Sequence, residues 1–113
     1  MDSWYNRYEK INGDRVMDRL ASLGGYRKIS EKYVQEIEEL FSYYKKVMLF
    51  LMKQGLNYED AQDAVQDTYI EAISYLPTLR NKECLKSWLF TIAKRIGSRY
   101  IAKQNKQIQN LKK

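Results

Sequence analysis

Two groups of side chains carry a spacing that chemistry can use. Asp63, Gln66, Asp67 and Ile70 fall at i, i+3, i+4 and i+7, which on a helix makes one stripe, acidic and amide-bearing with an aliphatic at its far end. Such a stripe is either a solvated face or a docking face that meets Arg or Lys on a partner helix, because carboxylate–guanidinium pairing is charge-assisted and directional. Further along, Arg95 and Arg99 lie four apart, Lys103 and Lys106 continue that flank, and Lys86 and Lys94 add charge elsewhere on the same segment. Cations so spaced can follow a phosphate backbone, where each contact releases counterions and makes binding salt-dependent. Phe90 points away from the Leu85–Trp88–Ile92 side at about 100° per residue. Two readings are open for it: an exposed aromatic on which a single-stranded base stacks, or a side chain packed under an N-terminal helix. The stretch 77–84 precedes these cations and can present groups to an extruded base.

Other chemistries are short of parts. The chain has 113 residues, no histidine and one cysteine, Cys84. Zinc sites and imidazole-based triads lack their residue types, and a lone cysteine makes no internal disulfide, in keeping with a reducing cytoplasm. Glu59, Asp60, Asp63 and Asp67 can in principle bind Mg²⁺, but no phosphate-cradling loop accompanies them. No catalytic residue, metal or cofactor is therefore expected. The start is polar, without a signal-like apolar stretch, and the longest apolar run, Val47 to Met52, is six residues, too short to insert across a bilayer. The expectation is a cytoplasmic, non-enzymatic protein.

Charge is divided along the chain. Residues 1–79 carry 10 basic and 13 acidic side chains, residues 80–113 carry 10 basic and one acidic, so a −3 body bears a +9 end. A basic end on a weakly acidic body is the footprint of a polyanion partner, most often nucleic acid, or else a solvated tail.

The elements that hold these groups read as helices throughout, since one Pro and five Gly interrupt the chain and no segment alternates for long. Residues 1–23 form a modest amphipathic pattern ended by Gly24-Gly25. From about Ser30 to Gln54, Val34, Ile37, Phe41, Tyr44, Met48 and Leu51 recur at threes and fours, and Gly55 sits where a left-handed cap is wanted. Asn57 caps the next helix, with Glu59 and Asp60 in its first turn. Its core face is Ala61, Ala64, Val65, Thr68, Ala72, Ile73 and Leu76, and Pro77 stops it. A last helix runs from about Cys84 to Lys103 with Leu85, Trp88, Leu89, Ile92, Ile96 and Tyr100 inward. Residues 104–113 are expected to fray. The fold class is all-α: a compact bundle of three to four helices with a helical N-terminal extension.

Two motifs in order then carry a resemblance. The stretch Tyr58-Glu-Asp-Ala-Gln-Asp-Ala-Val-Gln-Asp-Thr-Tyr-Ile-Glu-Ala72 resembles the second conserved region of bacterial RNA polymerase sigma factors, sigma-seventy family, most closely the extracytoplasmic-function (ECF) group. After the expected loop, Lys86-Ser-Trp-Leu-Phe-Thr-Ile-Ala-Lys-Arg95 is similar to that group's "F-x-x-W-L-x-x-I-A-x-N" segment. Where the group often has Asn this chain has Arg95, which favours a phosphate role there, and its usual Phe is replaced near Leu85. The implied organisation is a helical extension over 1–40, a region-two-like domain over 41–106, and a basic tail or linker start over 107–113.

The resemblance implies a transcription initiation factor domain. Asp63, Gln66 and Asp67, with Tyr69, Ile70 and Ile73 as neighbours, would dock on the clamp of the largest subunit of core RNA polymerase. The loop Thr78–Cys84, with Thr78, Arg80, Asn81 and Lys82, would hold a flipped base of the non-template single strand of the minus-ten promoter DNA. Lys86, Phe90, Lys94, Arg95, Arg99 and Lys103 would hold phosphates and the upstream duplex. An anti-sigma factor is a further class of partner for such a domain. A full factor of this group also carries a helix-turn-helix domain, so the chain is expected to be part of a factor. The competing reading is a sigma-like helical interaction module or decoy with a basic arm and no promoter function.

Overall fold

A computed structural model describes residue 29 and residues 31–111. The amphipathic helix expected over 1–23 lies outside the described residues. Among those described, four α-helices and two short 3₁₀ turns follow one another: α1 (Val34–Ser42), α2 (Tyr44–Lys53), α3 (Tyr58–Tyr75), 3₁₀ turns at Leu76–Thr78 and Lys82–Cys84, and α4 (Leu85–Leu111). The all-α expectation is met.

The single helix expected from 30 to 54 is broken at Tyr43, which leaves the α-helical region at φ −93°, ψ 4°. The cause comes from α3. The Tyr69 hydroxyl donates to the Leu40 carbonyl at 2.6 Å, a side chain entering the helical hydrogen-bond ladder at its break. The Tyr43 amide meanwhile closes a tighter turn onto the same carbonyl at 3.1 Å. Around this point Phe41 and Tyr44 stack on Tyr69, with ring centroids 5.0 and 5.1 Å away.

At the other end of α2 the chain turns by local chemistry. Gly55 takes φ 117°. Its amide donates to the Met52 carbonyl at 3.0 Å, and that of Leu56 to the Leu51 carbonyl at 3.4 Å. This is the paired-bond arrangement that satisfies the last carbonyls of a helix, with buried Leu56 as its apolar contact. Asn57 then caps α3, its side-chain oxygen accepting from the Asp60 amide at 2.8 Å. Both features match the sequence expectation.

One core joins all four helices. All seven expected inward positions of α3 are buried, as are Ile37, Phe41, Tyr44, Met48, Leu51, Leu85, Leu89, Ile92 and Ile96. Val34 is not: it is 49% exposed, because the stripe of α1 rotates onto Leu40 instead. Trp88 and Tyr100 are half-buried. The boundary expected between residues 40 and 41 falls inside α1, and Ile37 and Leu40 on its near side belong to the same core. α4 packs closely where it has Gly97: a Cβ there would lie 2.8 Å from Leu51 Cδ2, and nearer still to Gln54 Oε1.

α4 does not fray at 104. It runs to Leu111, because the added segment holds Gln, Lys and Asn but no Gly or Pro, and Gln and Lys are good helix formers.

Candidate functional site

α3 and α4 lie side by side, and the edges they turn to solvent are the two groups with which the sequence reading began. Asp67, Ile70, Glu71 and Ser74 of α3 face Ile96, Arg99, Tyr100 and Lys103 of α4 across an open groove of about 570 Å³. Toward the start of α3, Asp60 and Asp63 line a smaller recess with Lys103 and Gln104. Asp67 of the assigned carboxylates and Arg99 and Lys103 of the assigned cations thus line one groove, with Asp63 in the recess beside it.

Direct bonds cross it. The Tyr100 hydroxyl donates to Asp67 Oδ2 at 2.6 Å, and Arg95 pairs with Glu71. The Arg95 side chain remains 52% exposed, so it stays within reach of a ligand, and a pair this exposed adds about 0–1 kcal/mol to stability. Glu71 was not singled out from the sequence. It continues the same stripe, four residues beyond Asp67, and that periodicity was the signal available for it.

Within the acidic stripe, exposure is uneven. Asp63 is exposed and Asp67 and Ile70 are half-buried, whereas Gln66 is only 7% exposed. Tyr69 and Ile73 are fully buried, so they are corrected from contact residues to support: Tyr69 is spent on the Leu40 carbonyl and the aromatic stack, Ile73 on the core. The face α3 offers is therefore Asp63, Asp67, Ile70 and Glu71.

The cations of α4 are placed outward. Lys86, Lys94, Arg95, Arg99 and Lys103 are all exposed, and Thr91, Lys94, Arg95, Ser98 and Arg99 share one shallow outer surface. Lys86 Nζ lies 5.7 Å from the centroid of the Tyr43 ring, within cation–π range. Partial burial, with Glu39 beside it, pushes the Tyr43 phenol above its ordinary value. Phe90 packs edge-on against Phe50 of α2, centroids 5.4 Å apart. It is half-buried, so its partner is α2 and it is no free stacking platform.

The loop between α3 and α4 is ordered by its own side chains. The Thr78 hydroxyl donates to the Tyr75 carbonyl at 2.6 Å. Asn81 Oδ1 accepts from the Glu83 amide at 3.0 Å, and the Cys84 amide closes the second 3₁₀ turn onto the Asn81 carbonyl at 3.1 Å. Thr78, Arg80 and Asn81 are exposed, while Lys82 is half-buried with its ammonium turned inward: it donates to the Leu76 carbonyl at 3.1 Å and to the Leu79 carbonyl.

No group of three or more metal-ligating side chains occurs among the described residues, and no helix among them is long and apolar enough to cross a membrane.

Comparison with known proteins gives this arrangement its family. A family model described as Sigma-70 region 2 matches residues 40–107. The chain is 33% identical over 63 residues to RNA polymerase sigma factor YlaC of Bacillus subtilis (strain 168), covering 55% of this chain and 36% of that protein. It is 40% identical over 50 residues to RNA polymerase sigma factor SigV of the same organism, covering 44% of this chain and 30% of that one. The chain thus spans about a third of the length of these curated relatives. No solved structure matches it. With the match covering more than half of the chain and both motif helices, the chain belongs to the sigma-70 region 2 family and is of the ECF type.

Proposed function

We propose that this domain acts in transcription initiation, docking on core RNA polymerase through the exposed edge of α3 and holding promoter DNA of the minus-ten element along the 76–84 loop and α4. The observation that carries the reading is the shared groove, with Asp67 and Glu71 on one wall and Arg99 and Lys103 on the other, in a region-2 chain. Asp63 is the exposed carboxylate best placed to meet a partner's Arg or Lys. Asp67 lies beside it on the same edge, where it accepts from the Tyr100 hydroxyl. The loop presents Thr78, Arg80 and Asn81 to an unstacked base, while Lys86, Lys94, Arg99 and Lys103 neutralise phosphates and favour the opened duplex. RNA synthesis itself belongs to the polymerase, and the domain contributes binding energy only.

The test is capture of bacterial core polymerase by the immobilised chain, with binding to a forked minus-ten-like DNA measured alongside. Asp63→Arg is expected to lower capture at least tenfold with helicity by circular dichroism unchanged, and capture equal to the parent's would sink the docking assignment. Binding of the forked DNA is expected to fall steeply with salt. Salt-independent binding would favour the plain interaction module.

A further inference from the structure

We infer that Lys82 is a positioning residue that pins the 76–84 loop into shape from within and makes no phosphate contact itself. The inference rests on the reading that this loop carries nucleic acid, and it changes what Lys82 does there. Counted by charge, Lys82 joins the other cations of the basic end. By geometry it stands apart from them. Its ammonium donates to the carbonyls of Leu76 and Leu79, just past the end of α3, where the Leu76 carbonyl also accepts from the Leu79 amide at 3.1 Å. A cation in that position satisfies those oxygens and opposes the negative end of the helix dipole. Two of its three donors are committed, and drawing it to a phosphate would break both bonds.

The third anchor comes from far back in the chain. Lys82 Nζ sits 5.1 Å from the centroid of the Tyr33 ring, within cation–π range. Tyr33 immediately precedes α1 and lies outside residues 40–107, the span of the family match. The same ring has Lys32 Nζ 5.6 Å from its centroid. The first half of the loop is thus tied to α3 and to the segment before α1 through one side chain, while Asn81 orders the second half. The base-presenting residues Thr78, Arg80 and Asn81 sit on or between these ties.

A lysine on phosphate and a lysine that shapes a loop differ in two measurable ways. Lys82→Met keeps the aliphatic stem and removes the ammonium. Amide hydrogen exchange of the full chain is expected to speed up at least tenfold at Leu79, Glu83 and Cys84, while core amides of α3 and α4 keep their rates. Unchanged loop exchange overturns the inference. On a forked minus-ten-like DNA the same variant is expected to bind at least fivefold more weakly, with an unchanged slope of log affinity against log salt. A slope flattened by about 0.7–0.9, the signature of one lost phosphate contact, overturns it as well.

Tyr33→Phe keeps the ring and is expected to match the parent in both assays, whereas Tyr33→Leu is expected to loosen the loop in the direction of Lys82→Met. Equal behaviour of the two removes Tyr33 from the pin, and if Lys82→Met does not fold, unchanged loop exchange in Tyr33→Leu overturns the inference. Should the parent bind no forked DNA, the proposed function fails while the exchange comparison still judges Lys82.

Discussion

The chain reverses direction between α2 and α3 and again between α3 and α4, and different chemistry holds the two junctions. At the first, neighbours in sequence are enough: Gly55 supplies the left-handed backbone, Leu56 the apolar plug and Asn57 the cap. At the second, residues 76–84 add to their own bonds, those of Thr78, Asn81 and Lys82, one tie from Lys82 to a ring almost fifty positions earlier. A turn held by a reaching side chain is shaped by contacts outside itself, and its exposed residues stay available to a ligand. The stiff junction serves the bundle; the pinned one is where an unpaired base is proposed to sit.

Substitutions can break this contrast or sharpen it. The largest effect is expected at Gly97, where α4 passes over the end of α2. Gly97→Val would drive methyl groups into Leu51 and Gln54 and is expected to cost about 3 kcal/mol, the upper end for overpacking, read as a lowered urea midpoint. Gly55→Ala places a Cβ on a positive-φ position and is expected to cost about 1–2 kcal/mol in the same measurement. Asn81→Ala removes the acceptor for the Glu83 amide from an exposed loop. Its stability is expected to stay within about 0.5 kcal/mol of the parent, while affinity for forked DNA falls. A stability loss at Asn81 as large as that at Gly55 would erase the distinction between the junctions.

The same distinction explains what could be read in advance. The inward positions of α3, the Gly55 and Asn57 caps and the stop near Pro77 follow from local rules of periodicity and turn chemistry, and the structure has them all. The break at Tyr43 could not be read, because its cause is the hydroxyl of Tyr69, which only the folded chain brings to Leu40. Val34 fits the helical period as well as Ile37 does, yet the break turns it to solvent. For Phe90 the sequence left two readings, neither of which named Phe50 of α2, the ring it packs against. The candidate site divides likewise. The acidic stripe and the basic flank were legible as separate faces of separate helices, but their sharing of one groove depends on how α3 crosses α4. Lys82 carries the same charge as its neighbours, and nothing local marks it as turned inward.

α4 is a single helix of 27 residues, and its continuity has a metric consequence. From Arg95 through Arg99 to Lys103 the cations of one flank are carried on one rod without a break, a span of about 12 Å at 1.5 Å per residue. Along one strand of a duplex that is about three to four phosphate steps. Such a rod works as a ruler: its graduations are fixed by the helix rise, and its zero by the buried first half of α4. The backbone proposed to lie along it would be measured against a constant length, and the strand would supply the flexibility needed for the two to agree.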